Sequence, residues 1–454
     1  MQVVRLPKRI VRLIITSFVS SCLFLVFLDD KNLTTFPLLT SSSFRPVSYS
    51  NTNDGSTQDL CKSFPRHLLQ SIQPVLKMGW TESQKQIHAQ LETVSACFDP
   101  NDLLIVSDYE ETILGRVTID IFETLPEEYR RRSRDFARHN AMKRKPLNMD
   151  DGRAETTHHK LGWKMDKYKF LAQVEYAWST MPGRDWYVFY ETDTYVLWDS
   201  MFRFLSTLDA AEALYIGSPS PGRRGTWFAN GGPGFVLSRG AMQKVLGKDQ
   251  GWLTSRGAKA TRRDCCGDSV LGWMLWQARV PLSGFYPLFS LYAVDRVPFT
   301  ERAWCQPVIT MHKLTPGDML RLWRWEHGNR KRDTPILFSD LYEFTGINET
   351  DVRYDWDNTS YDRLAPGREL AAETHESCRA ACEADGKCLQ YLWRGLQEKH
   401  CVLMPFVSLG KAGGQDAGSG MYVSGWMHSR IEDWRAGNVC EDAAWVHPSI
   451  ARHF

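Results

Sequence analysis

The chain carries almost no charge excess of either sign: 55 Lys and Arg stand against 53 Asp and Glu, a formal net charge of +2 at pH 7. A field of that size recruits no polyanion, and no basic stretch is interleaved with stacking aromatics, which excludes nucleic acid as an expected partner. The run Arg130, Arg131, Arg132, Arg134 through Lys143, Arg144, Lys145 reads as a solvated helix face or loop. Cysteine pairs at zinc spacing are missing, since Cys378 and Cys382 have no matching His or Cys pair at the usual finger distance. The dinucleotide fingerprint is missing too: Gly231, Gly232 and Gly234 precede a strand-like run instead of opening a helix after one. Nor is the composition that of a disordered chain, because 43% hydrophobic residues and 17 Trp supply ample core-forming surface. With 454 residues, a large domain plus a smaller folded unit is expected.

The first thirty residues bear on compartment. Arg5, Lys8, Arg9 and Arg12 precede the apolar stretch Leu13 to Leu28, closed by Asp29, Asp30 and Lys31. Counted from Ile10, the stretch approaches the roughly 20 residues that span a bilayer, and so short a span suits an early secretory membrane. Positive charge on the N-terminal side keeps the tail cytosolic and sends everything after Leu28 to the lumen. A cleavable signal peptide is the competing reading, although no clear small-residue cleavage site follows. Cys22 lies within the span; the other ten cysteines, Cys61, Cys97, Cys265, Cys266, Cys305, Cys378, Cys382, Cys388, Cys401 and Cys440, form an even set that an oxidising lumen would pair. Sequons at Asn32, Asn348 and Asn358 are glycan acceptors if exposed there.

The expected organisation is a cytosolic tail over 1–9, a membrane anchor over 10–28, a Ser, Thr, Asn and Pro-rich stem over 29–58, a large domain over 59–353, a linker over 354–369, a small cysteine-rich module over 370–430 and a tail over 431–454. Leu68, Leu69, Ile72, Val75 and Leu76 recur at helical spacing interrupted by Pro74. Leu103 to Val106, Asp185 to Tyr190, Leu214 to Gly217 and Gly234 to Leu237 read as short strands, and Lys160 to Ser179 and Gly317 to Arg332 as helices. Strands alternating with helices, with acidic residues at strand ends, predict an α/β sheet flanked by helices. Ligands of such sheets bind at the carboxyl ends of the strands, where Asp108 and Glu191 to Asp193 fall.

The sharpest chemical feature is Trp186-Tyr-Val-Phe-Tyr-Glu-Thr-Asp-Thr-Tyr-Val-Leu-Trp198, a hydrophobic strand ending in two carboxylates. Alternation along an extended chain would point Glu191 and Asp193 to one side, where they would hold Mn²⁺ or Mg²⁺ against a diphosphate. This segment resembles the Asp-Asp-Asp-Thr-Tyr-Val signature of glycosyltransferase family 31 and its fringe and core-1 galactosyltransferase relatives. Asn230-Gly-Gly-Pro-Gly-Phe-Val-Leu-Ser-Arg-Gly-Ala241 is similar to the family's glycine block, and Asp268-Ser-Val-Leu-Gly272 to its Glu-Asp-Val-x-x-Gly block. The three blocks follow the family's order and cover roughly Cys61 to Pro316.

The resemblance implies a GT-A fold, a UDP-sugar donor, a manganese ion and transfer of a hexose to a glycan or glycoprotein hydroxyl with inversion, in the Golgi or ER lumen. It assigns the metal to Asp193 and His312, with Glu191 nearby; without the resemblance His312 reads as an ordinary exposed or satisfied histidine. Thr192 departs from the family triplet by losing a charge at a donor-contacting position. Asp268 matches the family's general base, the group that takes the proton from the attacking hydroxyl, while its local reading is a helix N-cap before Val270, Leu271, Trp273, Met274 and Leu275. Asp108 resembles a donor-contacting position, and Lys169 either neutralises the diphosphate or solvates a helix face. Gly231, Gly232 and Gly234 serve close backbone approach to donor or acceptor, or a simple turn.

The tail, with Cys378-x3-Cys382-x5-Cys388-x12-Cys401, resembles a PAN/apple module. That resemblance implies nested pairs, Cys378 with Cys401 and Cys382 with Cys388, and a protein or carbohydrate ligand; the four cysteines alone allow three connectivities. Together the large domain and tail suggest a fungal branch of the family. Two other readings stand beside the enzyme: a non-catalytic luminal chaperone or lectin-like binder of the same fold, and an adhesive scaffold built around the tail module.

Overall fold

Seven runs rich in β-branched and aromatic residues assemble the central sheet: β1 (Ile72–Lys77), β2 (Leu104–Ser107), β3 (Ile119–Asp120), β4 (Trp186–Glu191), β5 (Tyr215–Gly217), β6 (Phe235–Ser238) and β7 (Leu282–Gly284), in the order β7-β5-β6-β4-β1-β2-β3. All neighbours are parallel except at β6, which runs against both β4 and β5. The structure is a computed structural model describing residues 61, 64–131, 133–144, 160–329, 334–349, 351–359, 367–395, 399–413 and 422–452. The expected cytosolic tail, anchor and stem, with Asn32, lie outside these residues. Among the described residues no helix is long and apolar enough to cross a membrane.

The segment with helical spacing before Lys77 is a strand, not a helix. After a short turn of 3₁₀ helix at Arg66–Gln70, β1 runs through the middle of the sheet with all six residues buried. Covered on both faces, such a strand has no polar alternation for periodicity to detect. Pro74 is tolerated because at its position only β4 is paired; the ladder to β2 begins at Val75.

Helices α1 (Gln84–Glu92), α2 (Arg134–Lys143), α3 (Lys169–Thr180), α4 (Arg239–Leu246), α5 (Trp252–Arg263) and α6 (Gly267–Gln277) flank the sheet. Val75, Val106, Tyr187, Phe189, Phe235 and Leu237 form one continuous core with Leu171, Val174, Met242, Leu253, Val270 and Leu271 of the helices. Each such side chain stabilises the fold by about 1.5–3 kcal/mol relative to exposure. On the other face Tyr190 meets Trp198 edge to face at 5.9 Å.

A second, antiparallel sheet combines Val352–Tyr354, Tyr422–Trp426, Gln390–Arg394, His400–Met404 and Arg368–Ala371. The helix His375–Ala384 is stapled to it by Cys378, which bonds Cys401, and to the turn before Gln390–Arg394 by Cys382, which bonds Cys388. Four cysteines join Tyr391, Trp393, Leu403 and Val423 in a small core that burial alone would hold weakly. Asn358 belongs to this interior: it is fully buried, and its side-chain amide donates to the Tyr391 carbonyl at 3.2 Å. The sequon there is therefore corrected as a glycan acceptor, whereas Asn348 is exposed.

The chain then returns to the first unit. Cys440 is bonded to Cys305, 135 residues away; Trp445 stacks on Phe204 at 5.9 Å; Ser449 N–H donates to the Gly284 carbonyl on β7 at 2.7 Å; and Arg452 reaches the Pro219 carbonyl and Ser220. Replacing both Cys305 and Cys440 by Ser is expected to lower the unfolding free energy by about 2–4 kcal/mol and to open the strap after Cys440 to proteolysis. Unchanged denaturant unfolding with an uncut strap would show that the non-covalent contacts suffice.

Candidate functional site

The carboxyl end of β4 is where the site is built. After Glu191 the chain does not stay extended: Thr194 N–H donates to the Glu191 carbonyl at 3.1 Å and closes a turn. The expectation that simple alternation orients Glu191 and Asp193 is thus corrected. Thr194 fastens the turn by accepting from Glu191 N–H at 3.0 Å and donating to the Gly232 carbonyl at 2.6 Å. Gln90 of α1 donates to the carbonyls of Glu191 and Thr194.

His312 arrives through pairing. The strand Thr310–Met311 runs antiparallel to Tyr195–Val196, with Met311 opposite Tyr195, so the next residue comes level with the turn; Leu314 N–H then donates to the Asp193 carbonyl at 3.1 Å. His312 Nε2 lies 3.3 Å from Asp193 Oδ2. One ligand atom each from Glu191, Asp193 and His312 lie within 4.8 Å of one another. Two hard carboxylates and an imidazole suit Mn²⁺ or Mg²⁺. The other acidic and cysteine cluster among the described residues, Asp264, Cys265 and Cys266, has its two sulfurs bonded to each other and offers no thiolate.

The glycines have a physical reason different from the expected one, since the group they admit is the protein's own. A Cβ on Gly232 would overlap the His312 ring, and one on Gly231 would meet the Phe170 ring and come within 3.1 Å of Glu191 Oε1. Gly234, at φ +81°, would meet the Phe189 carbonyl.

Asp268 sits on the far side of the same loop. Gly231 N–H donates to its Oδ2 at 3.0 Å and Ser269 N–H to its Oδ1 at 2.8 Å. It is not the N-cap: α6 begins at Gly267 with Cys266 in the N-cap position and no side-chain cap, and Asp268 lies in the first turn. Burial pushes its carboxyl above the ordinary range against these two N–H donors.

Behind the turn lies a buried charge network. Lys77, ending β1, is 2.5 Å from Asp166 and 3.2 Å from Glu191. Burial disfavours its charge, but Asp166 and Glu191 outweigh it and hold the ammonium well above the usual lysine range. Burial raises the Glu191 carboxyl despite Lys77; on Asp193 burial is overcome by the hydrogen bond and charge of His312, which hold that carboxyl low. Lys169 is neither a solvated helix residue nor an open cation: it is 1% exposed, donates to the Met78 carbonyl at 2.8 Å and pairs with Asp108 at 3.1 Å. Asp108, also 1% exposed, is saturated by Lys169, by Trp80 N–H at 2.9 Å and by His139 at 2.7 Å. Thr192 is turned inward and donates to Glu82 at 2.5 Å. Burial, only partly offset by Lys169 and Thr192, pushes Glu82 up to about 7.

Sequence reasoning missed Lys77, Glu82, His139 and Asp166. A lysine ending an apolar run as Asp108 follows one was the available signal for Lys77, and the i, i+3 spacing to Lys169 for Asp166; His139 had none.

Residues 134–285 match the family model described as Fringe-like. The matched segment holds β4, Asp193, the glycine loop and Asp268, and ends before His312. It supports a glycosyltransferase of the fringe-like, family 31 kind, in agreement with a mixed α/β sheet flanked by helices.

The Asp108 network gives a stability prediction. Burial works against its charge, but Lys169 and His139 hold the folded carboxyl far below the ordinary value. A depressed carboxylate contributes stability that is present above the unfolded value, near pH 4, and lost as pH falls through the folded value. Asp108→Asn should therefore lose about 3–5 kcal/mol at pH 7, the gap to wild type narrowing on acidification below about pH 4. Urea unfolding across pH tests this, and equal stability at pH 7 would contradict it.

Proposed function

We propose that the protein is an inverting, metal-dependent glycosyltransferase that moves a galactose- or N-acetylglucosamine-type sugar from a UDP donor to a hydroxyl of a glycan or glycoprotein. The observation that carries this reading is the convergence on one loop: Gly231 N–H donates to Asp268, Glu191 stands next to the space a Gly231 side chain would fill, and His312 packs on Gly232 beside Asp193. Asp193 and His312 would hold the ion, with Glu191 alongside. When bound, Mn²⁺ supplies Lewis-acid stabilisation of charge on the departing nucleoside diphosphate.

The protein's own residues do the rest. Asp268, fixed by two backbone N–H groups and made more basic by burial, takes the proton from the acceptor hydroxyl as that oxygen attacks the sugar. Lys77 orients Glu191 from below. Asp108 and Lys169 hold the 78–82 segment from behind and support the donor pocket, and Thr192 anchors Glu82 at its edge. Trp80 and Tyr109, stacked at 5.0 Å beyond the ends of β1 and β2, offer an aromatic wall for a nucleobase.

The Golgi or ER lumen is proposed as the compartment, with the chain held by the 10–28 anchor as a type II membrane protein. The five disulfides among the described residues support an oxidising compartment. The C-terminal unit is proposed as a PAN/apple-type module with a protein or carbohydrate ligand, and Asn348 as a glycan site.

Asp268→Asn is the decisive substitution. Asn keeps an acceptor for one of the two N–H donors, so folding and manganese-dependent UDP binding are expected to persist while sugar transfer falls by about two to four orders of magnitude. Transfer, UDP binding and thermal unfolding measured on one preparation check this. Near-normal transfer by a folded variant would move the base elsewhere, to Glu191 first.

A further inference from the structure

The surface around the connection between α5 and α6, which leads to Asp268, carries an excess of positive charge that the transfer chemistry does not use. Arg223 and Arg224, at the tip of the hairpin between Pro219–Pro221 and Trp227–Ala229, both lie over the Trp273 ring, with guanidinium carbons 4.7 and 5.7 Å from its centroid. Two like charges over one indole repel each other unless something anionic stands between them. Asp264, 3.3 Å from Arg223 Nη1, is the carboxylate partner of Arg223 among the described residues. Arg224, Lys167, Arg262 and Arg263 have no carboxylate within ion-pair distance among those residues. Lys167 is instead bound to backbone, donating to the carbonyls of Arg262 and Asp264.

Two further observations concern the hairpin tip. The Arg223 Nε is buried without a hydrogen-bond acceptor among the described residues, and a buried guanidinium donor left unmade is costly. Arg224 is held at φ +55°, ψ 31°, a left-handed conformation that a residue with a side chain adopts at a cost. That backbone presents an exposed guanidinium beside the Arg223–Trp273 stack. The Cys265–Cys266 bond covalently stiffens the stretch between Asp264, the partner of Arg223, and Asp268.

We propose that Arg223 and Arg224 form an acceptor subsite for a glycan bearing an anionic group, a phosphate or a sugar carboxylate. The inference rests on the transferase reading for its acceptor. Arginine forks match both oxyanions bidentately, and Trp273 offers an apolar face of the kind on which a sugar ring stacks.

The test uses the full-length protein and three probes: one glycan with a phosphomonoester, the same glycan with a uronic carboxylate, and the uncharged parent. Binding is measured by titration, and transfer is measured in parallel. The charged probes are expected to bind about 10- to 100-fold more tightly than the parent, and that preference to fall towards one in Arg224→Gln and in Arg223→Gln. Arg224, exposed at the hairpin tip, keeps the test open if the Arg223 variant unfolds. Which of the two charged probes binds better distinguishes phosphate from carboxylate. Equal binding of charged and uncharged probes by wild type, or a preference that survives both substitutions, would overturn the proposal. Because the titration reads binding directly, absence of transfer from any UDP-sugar would refute the transferase reading while the subsite is still decided.

Discussion

The turn that closes between Glu191 and Thr194 ties together every part of the proposed site. Thr194 couples the end of β4 to the glycine loop through the Gly232 carbonyl; Gln90 couples the turn to α1; and the Asp193 carbonyl receives Leu314 N–H, which brings His312 in from a separate sheet. None of these is a strong bond alone, since a typical intramolecular hydrogen bond contributes about 0.5–1.5 kcal/mol net. Their effect is geometric. They hold two carboxylates of one short turn against an imidazole from a distant segment, packed so closely that Gly232 has no room for a side chain.

That packing has an electrostatic consequence. Glu82, Asp166, Glu191, Asp193 and Asp268 gather around two buried lysines, of which Lys169 is already matched by Asp108. Burial raises Glu82, Glu191 and Asp268, the direction expected where charge of one sign is crowded out of water. A divalent cation would relieve this crowding, and the donor set is of the hard oxygen and imidazole type such an ion takes. Lys77 has a different role: pinned between Asp166 and Glu191, it neutralises from beneath the carboxylate farther from His312.

How much of this was legible in the sequence follows from what local patterns encode. The strand Trp186–Glu191 and its acidic end could be read, because a hydrophobic run that stops abruptly at carboxylates is a local signal. The strand Ile72–Lys77 could not, because burial on both faces erases alternation and leaves an apparent helical spacing. Asp108 and Lys169 were singled out, yet nothing in their neighbourhoods says that each is the other's buried partner across 61 residues of chain. His312 was found only by resemblance; its approach depends on a two-residue strand pairing with Tyr195–Val196. Asn358 shows the converse error, a local motif overruled by tertiary burial.

On the proposed reading Asp193 and His312 would hold a divalent cation against a nucleoside diphosphate. Crystals grown with Mn²⁺ and UDP, and diffraction data collected at the manganese edge, test it most directly. An anomalous peak is expected within bonding distance of Asp193 and His312, with the diphosphate beside it. UDP bound at the carboxyl ends of the strands with no manganese peak beside those two residues would contradict it.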